Sequence, residues 1–359
     1  MTDYKLELDK QKMKIFFRTD ANITIATGHL MRCISIANEL QSRGDRIAFM
    51  IADEASISIL EKYQLDYFLI DAKWDICESG IAETLRILTA EKPDMLIVDS
   101  YYVDEKYLAE LSKVVKVAYL GSKEITCPQL SLLINYSNLL DKDFYKTNYN
   151  ETVLLLGPKY SPLRKQFDID DTTVRECVKN IFVSVGGSDT FGVTLSILKR
   201  LMQYTAKLCI NIIVVAGAMN RYISELKEVE STDRCIYVLV NANNMAEIML
   251  GCDLAVSAAG TTINELCACG VPTICFAISK EQEEQAKQYE KENVAFYCGS
   301  FVDEPDMVLD KIILNVDMLL HDYERRIDMA KIMRDLIDGK GCSLIADHIH
   351  EILDGERNT

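Results

Sequence analysis

The feature that most constrains the fold is a rhythm. Short apolar runs, each followed by a polar or glycine-bearing turn and then an amphipathic stretch, are set out in the first half of the chain and again in the second. Runs such as Arg46 to Ala52 (RIAFMIA) and the apolar start of Met95 to Asp104 (MLIVDSYYVD) suit strands covered on both faces, and the stretches between them carry helical spacing. Repeated strand–helix alternation predicts an α/β chain of doubly wound parallel sheets, and 359 residues suffice for about two such domains. The first is expected over residues 13–160. A linker follows over 161–179, where the periodicity has weakened and Pro158 and Pro162 stand close by. The second domain is expected over 180–338, and Gly339 and Gly341 break the chain before a terminal helix within 339–359.

Charge narrows the partners. Lys and Arg number 39 against 55 Asp and Glu, a net charge of -16, so the average field repels nucleic acid and anionic lipid. An anionic ligand must be held by local devices such as helix N-termini and a few placed cations. The first residues, MTDYKLELDKQKMK, lack the apolar core of a signal peptide, and no run approaches the roughly 18 apolar residues of a membrane span. A cytoplasmic protein without membrane insertion is expected. The twelve cysteines are scattered through apolar runs without a CxxC, as small buried hydrophobes of a reducing compartment. Cys267 and Cys269, with only four histidines in the chain, give no zinc spacing, and neither metal nor cofactor is expected. Asp168, Asp170 and Asp171 resemble a metal–nucleotide DxD motif but fall in a polar linker, where a solvated acidic loop is the better reading.

Three places carry chemistry. In IFFRTDANITIATGHLMRC, residues 15–33, a strand hands over to a helix opening at Gly28, and His29 sits at that handover. In an open α/β sheet this is the ligand side, and Gly28 lets backbone approach a ligand closely. A capping or core histidine is the competing reading. Asp99, Ser100 and Tyr101 end another strand on the same side, where Asp99 either contacts a ligand or caps the next helix. In the second half, Gly186, Gly187 and Ser188 form either a phosphate cradle or a plain tight turn. The densest signal runs from Asp253 to Ala286: a strand, the small-residue turn Ala259, Gly260, Thr261 and Thr262 that can admit a diphosphate to a helix N-terminus, and Glu265 one turn into that helix. Glu265 is placed to accept both hydroxyls of a ribose, although the helix dipole alone also favours an acid there. A further buried strand, VPTICFA, is followed by the polar stretch Ser279 to Gln285, so two ligand-facing loops are expected to converge.

Taken in order, FRTD with IATGHLMRC (17–33), IVDSYYVD (97–104), LLGPKYSPLR (155–164), VGGSD (185–189), SAAGTTINE (257–265) and DGKG (338–341) resemble the UDP-2,4-diacetamido-2,4,6-trideoxy-beta-L-altropyranose hydrolase family of the pseudaminic acid pathway and its spore-coat polysaccharide relatives. The resemblance implies the GT-B fold, two Rossmann-like domains facing across a cleft. It also implies inverting, metal-independent hydrolysis of a UDP-sugar at the anomeric carbon, in nonulosonic acid-type surface glycan biosynthesis. His29 would be the general base, suited by the ordinary titration range of imidazole. Arg32 would steady the diphosphate or cross the cleft, and Gln282 would join Gly28, Asp99 and Tyr101 around the substrate. The chain departs from the pattern at Ala26, where relatives often have glycine, at Gly121, Ser122 and Lys123, where they have acidic residues, and at Glu281, where they have asparagine. The alternatives are a GT-B glycosyltransferase using a UDP-sugar donor and a non-catalytic nucleotide-sugar sensor. A Rossmann dehydrogenase is disfavoured because no GxGxxG follows the first strand. Oligomeric state is not fixed by the sequence.

Overall fold

In the computed structural model the described residues are 12–22, 24–187, 189–217 and 219–357; Ser188 of the glycine turn lies outside them. The chain divides into two units. The first runs to Pro162 and takes the chain up again from Cys342; the second spans Leu163–Gly341.

Among the described residues the first unit holds a seven-stranded sheet of β1 (Lys14–Arg18), β2 (Arg46–Ile51), β3 (Asp66–Leu69), β4 (Met95–Val98), β5 (Lys116–Leu120), β6 (Leu132–Asn135) and β7 (Val153–Leu156), in the order 3-2-1-4-5-6-7. Every pairing is parallel. β4 is buried at each position, as a strand with helices on both faces must be. Ile15 and Phe17 point into one core layer, with the helix Gly28–Ser42, and Phe16 into the other, with the helices Ile81–Glu91 and Glu105–Leu111.

The second unit repeats the plan with β8 (Asn180–Ser184), β9 (Asn211–Ala216), β10 (Ile236–Val240), β11 (Leu254–Ala258), β12 (Thr273–Ala277) and β13 (Ala295–Ser300), in the order 10-9-8-11-12-13 and again all parallel. Several elements go beyond those read from the sequence: the strands β7 and β13 and the helix Pro305–His321. Ser279 to Gln285 is not a polar loop either. It opens the helix Lys280–Lys291, with Ser279 as its cap accepting from the Gln282 amide.

The segment 161–179 is more than a linker. Phe167 is fully buried in a core layer of the second unit, with Leu163 and Ile169 packed against it. Gly339 lets the chain close over this segment, since a Cβ there would fall 1.9 Å from the Phe167 carbonyl oxygen, and its φ of +87° is a backbone that glycine adopts readily. The terminal helix Gly341–Arg357 returns to the first unit, where Cys342, Ile345, Ala346, Ile349 and Leu353 join the core layer around β1. His350 adds an ion pair to Asp45 at 2.6 Å. No helix among the described residues is long and apolar enough to cross a membrane.

Candidate active site

In the first unit the loop after β1 is built by polar side chains. Asn22 Oδ1 accepts from the amides of Thr24 (2.9 Å) and Ile25 (3.1 Å), and its side-chain amide donates to Asp53 (2.9 Å). Asp20, paired with buried Arg18, accepts from the amides of Ala52 and Asp53. The loop reaches the helix through Ala26, whose φ of +54° lies in the left-handed region, where a glycine would sit without strain. Gly28 then starts the helix. No side chain caps this end, and a Cβ on Gly28 would meet nothing within 4 Å, so the glycine leaves open space.

His29, one residue on, is 5% exposed. Because β1 and β4 are neighbours, the loop after β1 and the end of β4 lie side by side, and Asp99 meets the imidazole: His29 Nδ1 is 2.5 Å from Asp99 Oδ1. Arg32, one turn along the helix, donates from Nε to Asp99 Oδ2 (2.5 Å), from Nη2 to Oδ1, and from Nη1 to the Tyr136 hydroxyl (2.7 Å). Burial pushes the Asp99 carboxyl up, but the Arg32 charge and the hydrogen bonds from Arg32 and His29 outweigh it and hold the carboxyl below its ordinary range. Burial likewise works against the Arg32 charge, and Asp99 outweighs it, leaving the guanidinium well above its ordinary value.

An ionised Asp99 can only accept, so the proton between it and His29 belongs to Nδ1. Arg32 Nη2 lies 2.8 Å from Nδ1 because both donors converge on one carboxylate oxygen. In its neutral form the imidazole is thereby held in one tautomer, with its lone pair on Nε2, which is buried and has no hydrogen-bond partner among the described residues. Tyr101 stands edge-on over the ring, centroids 4.2 Å apart, and is itself 62% exposed.

Asp99 is fully buried, both of its oxygens serve His29 and Arg32, and the cap of the helix Glu105–Leu111 is Asp104 rather than Asp99. Arg32 is engaged by Asp99 and Tyr136 within the first unit. Tyr136 was not singled out by sequence. It directly follows β6, and the carboxyl-end rule that found His29 and Asp99 would have found it too.

The second unit presents two helix N-termini that differ in one respect. After β8, a Cβ on Gly186 or Gly187 would meet nothing within 4 Å, and Gly186 has φ +93°. The helix that follows, Val193–Leu208, has its first amides taken: Asp189 accepts from Val193 (2.8 Å) and Thr194 (3.0 Å). After β11, Ala259 is buried with its amide bound to the Phe276 carbonyl (2.8 Å), so it shapes the turn from inside. The helix Thr262–Cys269 has no side-chain cap, which leaves Gly260, Thr261 and Thr262 at an open, electropositive helix end. Gln282 reaches the same place: its Oε1 accepts from the Ile278 amide (3.1 Å), and its Nε2 lies 3.6 Å from where a Gly260 Cβ would stand. The turn after β11 and the first turn of the helix Lys280–Lys291 meet there.

Glu265, on the same helix, pairs with Arg164, Nη2 to Oε1 at 3.0 Å. Burial is the main influence on its carboxyl and lifts it above the ordinary range, with Arg164 opposing. Arg164 lies over the Phe167 ring at 5.4 Å, which fixes it to the segment that joins the second unit. It belongs to the LLGPKYSPLR motif, and membership of that motif is its only sequence signal. Asp168 and Asp170 are engaged by Lys165 (2.6 Å) and Lys340 (3.5 Å).

Two parallel-sheet units of this topology make the GT-B fold. Solved structures agree over nearly the whole chain: MurG of Acinetobacter baumannii (TM-score 0.66, 15% identity, 94% of this chain and 99% of that one) and the S. aureus MnaA–UDP co-structure (TM-score 0.60, 12% identity, 95% and 97%). Residues 180–338 match the model of the glycosyltransferase family 28 C-terminal domain.

More particularly, the chain is similar to the family its motifs resemble. The UDP-2,4-diacetamido-2,4,6-trideoxy-beta-L-altropyranose hydrolase of Campylobacter jejuni is 24% identical over 278 residues, 75% of this chain and 94% of that protein. The spore coat polysaccharide biosynthesis protein SpsG of Bacillus subtilis is 21% identical over 355 residues, covering 96% of this chain and all (100%) of that one. An uncharacterized protein of Methanocaldococcus jannaschii is 27% identical over 295 residues, 78% of this chain; the match spans 58% of that protein's length.

Proposed function

We propose that the chain is a nucleotide-sugar hydrolase that cleaves a UDP-linked diacetamido-trideoxy sugar at its anomeric carbon, releasing UDP and the free sugar for nonulosonic acid-type glycan synthesis. The carrying observation is the buried, partnerless Nε2 of His29, held as a lone-pair acceptor by the ionised Asp99. Water attacks the anomeric carbon while passing a proton to Nε2, and the bond to the diphosphate oxygen breaks with its electron pair leaving on UDP. Attack opposite the leaving group inverts the centre. Asp99 then faces the imidazolium, and the positive charge formed there is stabilised by the carboxylate. The open amides at Thr261 and Thr262 suit the charge that develops on the diphosphate, the Gly186–Gly187 turn gives its backbone room, and Glu265 suits the ribose. Turnover is expected to need no divalent metal and to persist in EDTA.

The family 28 match favours a second reading, a glycosyltransferase on the same scaffold. Incubation of the protein with the UDP-sugar and no acceptor, followed by NMR, separates the two: free sugar and UDP appear for a hydrolase and not for a transferase. In His29→Ala, kcat is expected to fall by at least about 10²-fold with the Kd for UDP unchanged. Full turnover in that variant would remove the base from His29, and no turnover in the wild type even when sugar acceptors are supplied would leave a sensor.

A further inference from the structure

Next to His29 the first unit exposes aromatic surface that neither core uses. Tyr101 is 62% exposed, Tyr102 43% and Ile76 45%. Trp74 stands edge-on to Tyr102 with ring centroids 5.4 Å apart. These side chains come from the loops after β3 and β4, on the carboxyl side of the sheet where His29 lies.

The surface is built rather than incidental. The Tyr102 amide donates to Ser100 Oγ (3.1 Å), Lys123 Nζ donates to the Val103 carbonyl (2.8 Å), and Cys77 Sγ lies 3.9 Å from Ser100 Oγ, joining the two loops. The Trp74 loop folds back on itself through the Lys73 amide bond to Ser79 Oγ (2.9 Å). Gly80 makes the return possible, since a Cβ there would stand 2.6 Å from that of Ala72. Trp74 is half-buried and the two tyrosines are exposed; aromatic surface left partly in water beside a site marks a ligand surface, because burying it is favourable whenever a partner offers apolar area. The neighbouring Asp71 and Asp75 are exposed and the chain carries a net charge of -16, which disfavours an anionic occupant. A neutral sugar ring offers the complementary surface: one face of C–H groups, enlarged where methyl groups replace hydroxyls.

We propose that Trp74 and Tyr102 form a platform that stacks the sugar of the nucleotide-sugar substrate and selects acetamido and deoxy sugars over fully hydroxylated ones. This rests on the reaction proposed above. Lys123 acts on it as a positioning residue, since it holds the loop that presents Tyr102.

The test compares wild type, Trp74→Ala, Trp74→Phe and Tyr102→Ala in the full-length protein. For UDP-2,4-diacetamido-2,4,6-trideoxy-β-L-altropyranose, KM is expected to rise about tenfold in each Ala variant, with kcat within a few-fold, the Kd for UDP unchanged, and recovery in Trp74→Phe. Trp74 is the single tryptophan of the chain, so its emission reports the site directly and should respond to the nucleotide sugar but not to UDP. Unchanged KM in both Ala variants, or emission indifferent to a sugar that is turned over, overturns the platform. If wild type cleaves no such sugar, the reaction reading fails by itself. The platform is then judged by titrating UDP-N-acetylglucosamine against UDP: a sugar-dependent gain in affinity that Trp74→Ala loses supports it, and identical affinities in the two proteins overturn it.

Discussion

Asp99→Asn isolates the step on which the proposed chemistry depends. The substitution keeps the shape of a fully buried side chain but replaces an acceptor-only carboxylate with one acceptor and one donor. The groups facing it are donors: His29 Nδ1, Arg32 Nε and Nη2, and the Cys33 thiol at 3.4 Å. If the new amide turns its NH2 to His29, the ring must accept at Nδ1 and carry its proton on Nε2, which removes the base. If it turns to Arg32, a donor opposes a buried guanidinium, and the imidazolium formed during attack still loses its counter-charge. A charge pair at this range is worth about 4 kcal/mol at an effective dielectric of about 20, or about 10³-fold in rate. We therefore expect kcat to fall about 10³-fold, with the Kd for UDP unchanged, measured by UDP release and by calorimetric titration. Nitrogen-15 NMR of wild type provides a reading independent of the variant, in which His29 should be protonated on Nδ1. A folded Asp99→Asn protein with kcat within about threefold of wild type, or an Nε2–H tautomer in wild type, would refute the reasoning.

Other outcomes follow from the same geometry. Glu265→Ala should raise KM and the Kd for UDP by roughly 10- to 150-fold with kcat changed much less, because the ribose is unaltered by the reaction; calorimetry with UDP and 2′,3′-dideoxy-UDP checks this, and Arg164→Ala should weaken UDP in the same direction. Since burial raises the Glu265 carboxyl, UDP affinity in wild type should fall with acid at a pH above that of an ordinary glutamate, and at a higher pH still in Arg164→Ala. Asp99 titrates the other way: its folded-state carboxyl is depressed, so the stability it contributes is fully present above about pH 4 and is lost as pH falls toward the folded-state value, a component of acid unfolding that Asp99→Asn should lack. Gly121→Ala should destabilise by about 1–3 kcal/mol in thermal or denaturant melts, since the new Cβ would stand 2.4 Å from the buried Tyr119 hydroxyl.

Local pattern determined much of this protein. The alternation of apolar runs and amphipathic stretches is a property of neighbouring residues, and it suffices to call for two parallel α/β units, to put His29 at a strand-to-helix turn, and to set Glu265 one turn inside a helix that opens on small residues. Tertiary structure decided what those residues do. His29 and Asp99 are 70 positions apart, and Arg164 and Glu265 are 101 apart; periodicity holds no information at such separations. The sheet order supplies it, because placing β4 beside β1 carries the end of one strand to the start of the first helix and brings Asp99 to the imidazole as its anchor. The same holds at the unit boundaries. Phe167 is a single residue, and the amphipathic pattern of the terminal helix marks a buried face without naming its partner; only the burial of their apolar faces assigns one to the second core and the other back to the first.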